Sequence, residues 1–171
     1  MASIIEYVTV HEVCKNRQIP VFLRRMIVIA HDIRSLHNIG SIFRNAAAFG
    51  IEKLYLTGFT ATPPRKEIAK VALGAEDLVP WEAGTIESVV SSLKTAGYVV
   101  FGLETGMDAL EISTVKAEKI ALVLGNEVEG IDQATLSLLD GKLVIPMNKK
   151  QSLNVSVASG VAMYVLTNRG S

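Results

Sequence analysis

The chain lacks most of the features that mark secreted, membrane-bound and zinc-binding proteins. Its single cysteine, Cys14, cannot form a disulfide within the chain, so a reducing and cytoplasmic location is expected. The apolar runs are far shorter than the ~20 residues that cross a bilayer, and the N-terminus has no basic start before an apolar stretch. No membrane span and no signal peptide are therefore expected. With one cysteine and three histidines that lack ligand spacing, no metal site is expected either.

An excess of positive charge is also absent, because 17 lysines and arginines are balanced by 17 aspartates and glutamates. This balance argues against a protein that coats nucleic acid through bulk electrostatics, which needs a basic surplus. A local basic patch is still compatible with it. Several basic residues fall within the first 70 positions, among them Arg24, Arg25, Arg34, Arg44, Arg65 and Lys66.

Three common site motifs are missing as well. No G-x-G-x-x-G follows the first predicted strand and no G-x-x-x-x-G-K-[ST] occurs, so ordinary dinucleotide and P-loop nucleotide binding have no support. No G-x-S-x-G turn is present, which disfavours a serine nucleophile of the α/β-hydrolase type.

The patterns that are present alternate between strand and helix. They predict an α/β fold with a mostly parallel sheet and helices on both faces. The 171 residues, 49% of them hydrophobic, fit a single domain over residues 1–171 with a short N-terminal extension at residues 1–25. Five apolar runs predict strands at Met26–Ala30, Lys53–Thr57, Tyr98–Gly102, Lys119–Leu124 and Leu143–Met147. Five helices are predicted between and after them, at Asn38–Ala48, Lys66–Leu73, Thr85–Thr95, Asp132–Leu139 and Leu153–Thr167.

The first predicted helix has one apolar face. On a helical wheel Ser41, Arg44 and Asn45 point away from that face, so Arg44 is expected to leave the core side. Asn38 precedes the first apolar residue and suits an N-cap. A capping role and an active-site role for Asn38 are compatible, and both stay open.

The last predicted helix is apolar almost all round. Val155, Ala158, Val161, Ala162, Val165 and Leu166 share one face, while Val157 and Tyr164 lie nearly opposite it. Such a helix must be covered on two sides, and the sheet of a small domain covers only one. We therefore expect the second side to be buried in a homodimer, most simply a twofold one.

Three blocks, at residues 31–50, 120–132 and 143–158, each begin as the end of a buried-strand pattern and continue into a cluster of polar residues and glycine. In open α/β sheets ligands bind beyond the carboxyl ends of the strands, which is where these blocks lie. Gly125 and Gly130 permit close approach of a ligand to the backbone, and the amides that follow Ser152 and Asn154 can donate to a polar ligand. Each block alone is equally compatible with an ordinary turn or a helix cap.

Together the three blocks resemble the SpoU (TrmH) family of ribose 2′-O-methyltransferases, within the SPOUT superfamily. Asn38 and Arg44 match the first family motif, and Gly125-Asn126-Glu127 with Gly130 match the second. Ile145-Pro146-Met147 and Ser152-Leu153-Asn154-Val155-Ser156 match the third, so the resemblance runs from about Ile27 to the C-terminus. Three ordered motifs at family spacing are far more specific than any one of them.

The resemblance implies a C-terminal third threaded as a deep trefoil knot, a homodimer and S-adenosylmethionine bound in the knot. The implied cofactor-binding residues are Thr105, Gly106, Leu124, Gly125, Asn126, Ile145, Met147, Leu153 and Asn154. The implied substrate is RNA. Transfer RNA is expected rather than ribosomal RNA, because no separate RNA-binding domain is expected in the chain.

The resemblance also implies that Arg44 acts in catalysis with Asn38, Glu127, Ser152 and Asn154. In the family the arginine is assigned to activating the ribose hydroxyl, but a guanidinium with a pKa above about 12 is a poor general base. Our hypothesis is that Arg44 grips the adjacent phosphate and stabilises the developing alkoxide. The proton would then pass to Glu127, a phosphate oxygen or water.

One departure from the family pattern and three alternatives accompany this interpretation. The segment Asn148-Lys149-Lys150-Gln151 lacks the glycine that family members commonly carry there. The main alternative is a non-catalytic RNA-binding module that retains the fold. The others are a base methyltransferase of another SPOUT branch and a cofactor-binding α/β protein unrelated to RNA.

Overall fold

The structure is a computed structural model that describes residues 25–150 and 152–168. Residues 1–24 of the expected N-terminal extension, Cys14 and Arg24 among them, lie outside the described residues, as do Gln151 and the last three residues. In the described part of the chain no helix is long and apolar enough to cross a membrane.

A single seven-stranded sheet organises the described residues. Its strands are β1 (Arg25–His31), β2 (Lys53–Thr57), β3 (Trp81–Gly84), β4 (Val99–Leu103), β5 (Leu110–Glu111), β6 (Lys119–Leu124) and β7 (Gly141–Val144). The strand order is β3-β2-β1-β6-β4-β7-β5, and every adjacent pair is parallel. The predicted mostly parallel sheet is confirmed, and the carboxyl ends of all its strands therefore meet at one edge.

Six helices cover the two faces of this sheet. They are α1 (Leu36–Phe49), α2 (Lys66–Ala72), α3 (Ala75–Leu78), α4 (Ile86–Thr95), α5 (Gln133–Leu138) and α6 (Val155–Thr167), with a short 3₁₀ turn at Ile112–Thr114. Along β1 alternate side chains enter two separate clusters, as the pleat requires. Val28 packs with Phe43 of α1 and Met163 of α6, whereas Ile29 packs with Val89 of α4.

Several elements differ from the predicted ones. The strands β3 and β5 and the helix α3 were not predicted, because each has at most four residues and no clear apolar period. The last strand runs from Gly141 to Val144 rather than from Leu143 to Met147. Pro146 has no amide to continue a ladder, and the chain beyond Val144 turns to line a cavity instead.

Helix α1 corrects two predictions. The N-cap is Ser35, whose hydroxyl accepts a hydrogen bond from the Asn38 amide at 3.3 Å, so Asn38 lies inside the first turn and is not the cap. Asn45 was expected to point away from the core. Its side chain instead donates to the Ser156 carbonyl at 2.8 Å and to the Ser159 hydroxyl at 3.0 Å, which joins α1 to α6. Arg44 is exposed, as expected.

The buried face of α6 is also rotated from the predicted one. Its buried residues are Ser159, Ala162, Met163 and Leu166, and Val161, which was expected on the buried face, is 37% exposed. Asn45 of α1 donates to Ser156 and Ser159, so the side of α6 that carries these small residues lies against α1. Val157 and Tyr164 are exposed together with Val161, so the described residues leave one apolar side of α6 uncovered.

Candidate active site

A cavity of about 240 Å³ lies at the carboxyl ends of β4, β6 and β7. Four segments form its wall: the loop after β4, the turn after β6, the segment after β7 and the start of α6. The turn after β6 and the residues around α6 belong to the second and third polar blocks. The position agrees with the general rule that ligands bind at this edge of an open α/β sheet.

Most of the expected cofactor-binding residues line this cavity. Seven of them do so: Thr105, Leu124, Gly125, Asn126, Ile145, Met147 and Leu153. Gly106 and Asn154 do not reach the wall. Of the five expected catalytic residues, Glu127 and Ser152 line the cavity, whereas Asn38, Arg44 and Asn154 lie outside it.

The turn after β6 is closed by its own backbone and by Asn126. Asn126 and Gly130 exchange two backbone hydrogen bonds of 3.0 Å, and the Asn126 side-chain oxygen accepts from the amides of Val128 and Glu129. The Asn126 side-chain nitrogen donates to the Asp32 carbonyl at 2.9 Å, which fixes the turn against the loop after β1. A Cβ atom at Gly125 would lie 2.6 Å from the Gly130 carbonyl carbon, so this position requires glycine.

Glu127 connects this turn to the start of α1. Its carboxylate accepts from the Arg34 and Ser35 amides, each at 3.0 Å, and from the Asn38 side-chain nitrogen at 2.8 Å. Partial burial by itself would raise the pKa of Glu127, but these three donors outweigh it and lower the pKa. A carboxylate at the N-terminus of a helix is also favoured by the helix dipole. Glu127 is therefore held as an anion that is already engaged by its neighbours.

Asn38 extends the connection to the third block. Its side-chain oxygen accepts from the Asn154 side-chain nitrogen at 3.2 Å. Asn154 is in turn the N-cap of α6, with its oxygen accepting from the Ser156 amide at 2.9 Å and the Ser156 hydroxyl at 2.6 Å. The three polar blocks are thus joined through side chains, and three of the five expected catalytic residues belong to one hydrogen-bonded chain.

Arg44 and Ser152 stand apart from this chain. Arg44 is exposed on α1 and makes no hydrogen bond or ion pair with the described part of the chain. Ser152 is exposed at the mouth of the cavity, just before Leu153. Within one chain the structure brings Ser152 to the cavity but does not bring Arg44 there.

Sequence reasoning missed Glu104. It follows β4 directly, lines the cavity and accepts a hydrogen bond from the Ile131 amide at 3.1 Å. The available signal was its place, since an acid at the carboxyl end of a strand in this fold class often meets a ligand hydroxyl. Among the described residues, the cavity wall carries two carboxylates, Glu104 and Glu127, and no lysine, arginine or histidine.

Comparison with known proteins identifies the family. The model of the SpoU rRNA Methylase family matches residues 25–164. The chain belongs to that family. Its 23S rRNA (guanosine-2′-O-)-methyltransferase relative from Xanthomonas axonopodis pv. citri is 31% identical over 143 residues, which are 82% of this chain and 57% of the relative. The chain spans little more than half the length of the first few such relatives.

Solved structures share the fold. The A. aeolicus TrmH/SpoU tRNA modifying enzyme is 27% identical with a TM-score of 0.76, covering 85% of this chain and 75% of that one. The AdoMet-bound rRNA methyltransferase from Sinorhizobium meliloti has a TM-score of 0.77 at 23% identity, covering 83% of this chain and 55% of that one.

Proposed function

We propose that this SpoU-family protein transfers the methyl group of S-adenosylmethionine to a ribose 2′-hydroxyl of RNA. The observation that carries the proposal is the hydrogen-bonded chain from Glu127 through Asn38 to Asn154, which gathers the three family motifs beside one cavity. Isolated turns and caps would leave these side chains unconnected. Family membership supplies the independent support.

The chemistry of the cavity wall suits S-adenosylmethionine. Apolar side chains such as Leu124 and Ile145 can cover an adenine ring, and the glycine at position 125 lets the turn after β6 close tightly at the cavity wall. The absence of cationic side chains from the described wall suits a ligand that carries a sulfonium. The cofactor would supply an activated methyl group, and the Sinorhizobium structure indicates that a protein of this fold can hold it.

The residues of the wall then divide into two groups. Thr105, Leu124, Gly125, Asn126, Ile145, Met147 and Leu153 would bind the cofactor directly. Asn154 would act by fixing the start of α6, and Gly106 by shaping the loop behind Thr105. Because positioning can supply up to roughly 7–11 kcal/mol of a barrier, such fixed loops would contribute to the acceleration by holding the cofactor in place.

Glu127 is a poor candidate for the proton acceptor. Its oxygens already accept from two amides and the Asn38 side chain, and these bonds lower its pKa. A general base works best with a pKa near the working pH. We therefore assign Glu127, Asn38 and Asn154 to positioning, and the ribose proton to a phosphate oxygen or water.

Arg44 would stabilise the developing alkoxide from the edge of a dimer interface. Val157, Val161 and Tyr164 form an uncovered apolar patch on α6, which supports the expected homodimer. Arg44 is exposed on α1, the helix that packs against α6 through Asn45. In a homodimer formed through the patch, the guanidinium would have access to a second chain, which accounts for its lack of partners among the described residues.

The class of RNA has two candidates. Sequence reasoning favoured transfer RNA, and the A. aeolicus relative is a tRNA modifying enzyme. The family description and the Xanthomonas relative point instead to ribosomal RNA, so the comparisons do not support a preference for transfer RNA. We therefore propose RNA as the substrate without assigning it to transfer RNA or to ribosomal RNA. The trefoil knot, the single-domain organisation and the cytoplasmic location likewise stay predictions.

Transfer of radiolabel from S-adenosylmethionine tests the proposal. Transfer RNA and ribosomal RNA would be supplied separately, each digested with alkali after the reaction. Ribose methylation blocks alkaline cleavage, so label in alkali-resistant dinucleotides of one RNA class supports the activity and names the substrate. RNA binding without cofactor binding would instead favour the non-catalytic module.

A further inference from the structure

The side chain of Glu104 bridges two walls of the cavity. One carboxylate oxygen accepts from the Thr105 amide at 2.9 Å, and the other accepts from the Ile131 amide at 3.1 Å. Thr105 belongs to the loop after β4, whereas Ile131 follows the turn after β6. The carboxylate is therefore fixed by backbone donors on both sides while it faces the cavity.

Gly130 makes room for this arrangement. Its φ of +72° is one that residues with side chains rarely adopt, and a methyl group there would collide with the nearer Glu104 oxygen. Position 130 therefore has to be glycine if the Glu104 carboxylate is to occupy this place.

Glu104 retains capacity to accept further hydrogen bonds. A carboxylate has about four acceptor sites, and two of them are filled by the amides. The Thr105 hydroxyl, at 3.4 Å, is a long third partner compared with the usual O–H···O distance of about 2.8 Å. A ligand hydroxyl can replace it at small cost. Because the described cavity wall carries no cationic side chain, no protein cation competes for this carboxylate there.

We propose that Glu104 recognises the ribose hydroxyls of the adenosyl cofactor, on the proposed assignment of this cavity to S-adenosylmethionine. A vicinal diol offers two donors to one carboxylate, and an acid at a strand end performs this task in other open α/β folds. Glu104 would then discriminate between cofactors by the hydroxyls of their ribose, and the loop geometry would hold it ready for that contact.

The test measures binding without RNA or turnover, using calorimetry with S-adenosylhomocysteine and its 2′-deoxy and 3′-deoxy analogues. The wild-type chain should bind at least one deoxy analogue roughly ten- to hundredfold more weakly than the parent, as expected for a lost hydrogen bond to a charged group. In Glu104→Ala this preference should disappear. Glu104→Gln keeps the shape and one acceptor oxygen, so it should retain part of the preference.

Three other results would overturn the proposal, each for a different reason. Equal losses for parent and deoxy ligands in Glu104→Ala would mean that the residue only bridges the loops. A loss for S-adenosylmethionine but none for the uncharged-sulfur product would mean that it senses the sulfonium charge. If the wild-type chain bound none of these ligands, the assignment of the cavity itself would fail.

Discussion

The side chains of Asn154 and Asn38 share a hydrogen bond of 3.2 Å across 116 positions of sequence. Because Asn38 donates to Glu127 with its nitrogen, its oxygen must be the atom that faces Asn154. Neither amide can be flipped without breaking a bond to the other block. The first turn of α1 and the cap of α6 are therefore held in one defined arrangement.

The bond between Asn38 and Glu127 should be measurable as a coupling energy. We expect the stability losses of Asn38→Ala and Glu127→Ala to be non-additive by about 1–3 kcal/mol, since a hydrogen bond to a charged group is at stake. Urea unfolding of both single variants and the double variant gives this number. Lys116→Ala, at an exposed residue in the connection before β6, is the control, and its loss should add to that of Asn38→Ala. Simple addition within the Asn38–Glu127 pair would contradict the prediction.

The lowered pKa of Glu127 predicts a pH-dependent contribution to stability. Partial burial opposes ionisation, but hydrogen bonds from Arg34, Asn38 and Ser35 place the pKa below the ordinary value of 4.5. The ionised form therefore stabilises the fold fully above that pH, and this contribution is lost as the pH falls through the lowered pKa. Wild type should exceed Glu127→Gln in stability near neutral pH, with the difference shrinking in acid. A constant difference in urea unfolding across that range would indicate a packing effect instead.

Arg44 should matter for turnover and not for cofactor binding. Its side chain is exposed and outside the cavity, so Arg44→Ala should leave the Kd of S-adenosylmethionine within about twofold while lowering kcat roughly 10²- to 10³-fold. Lys116→Ala removes an equal charge at an exposed residue that does not line the cavity, and it should change neither. Arg44→Lys retains the charge but not the planar guanidinium, which can donate two hydrogen bonds to one phosphate. Full activity in that variant would contradict the proposed contact between Arg44 and the phosphate.

The uncovered patch on α6 should support a dimer. Val161→Glu places a charge in this patch and should give a monomer, because burial of an unpaired carboxylate is costly. Leu78→Glu is a matched control, since Leu78 is 76% exposed on α3. Light scattering after size exclusion distinguishes the states. A monomeric wild-type chain at micromolar concentration would remove the homodimer from the proposal.

A mixture of two inactive variants tests whether Arg44 acts across the dimer. If it serves the partner's cavity, combining Arg44→Ala with Asn154→Ala chains gives mixed dimers with one complete site, and activity returns. If it serves its own cavity, neither chain of the mixed dimer is complete and the mixture stays inactive.

The contact between α1 and α2 predicts a sensitive glycine. A Cβ atom at Gly40 would lie 2.7 Å from the Ile68 carbonyl oxygen and 2.8 Å from the Val71 Cβ. Gly40→Ala should therefore cost about 1–3 kcal/mol of unfolding free energy despite its better helix propensity. Ser41→Ala, on the next and half-buried position, should stay within about 0.5 kcal/mol. Thermal unfolding of the two variants checks the contrast.

Sequence reasoning succeeded where a pattern has one physical solution. The apolar runs of β1 and β6 are buried on both faces, which only a covered parallel sheet provides, and both strands were predicted within one residue. The two carboxyl ends then had to meet at one edge. The grouping of Gly125 and Leu153 at one cavity follows from that topology together with the resemblance to the family.

It failed where several partners suit the same residue. Asparagine is a common N-cap residue, yet the N-cap of α1 is Ser35. The Asn38 side chain instead donates a hydrogen bond to Glu127, which lies 89 positions away. A helical wheel identifies the side of α1 on which Asn45 lies. It does not show that α6 packs against that side. In the sequence nothing distinguishes Glu104 from the other acidic residues near it. Its role depends on contacts with Ile131 and Gly130, which only the fold brings close. These are contacts between distant segments, which local periodicity does not encode.

The pairing of β1 with β6 also sets the order in which the nascent chain can fold. Residues Arg25 and Lys119 are register partners at the centre of the sheet. At a synthesis rate of about 5–20 residues per second, β1 waits for several seconds before its inner neighbour leaves the ribosome. During that time β2 can pair with one edge of β1, while the other edge of an almost wholly apolar strand stays open. The same central position that protects β1 in the finished protein leaves one of its edges unpaired until β6 has been synthesised, and an unpaired apolar edge is prone to aggregation.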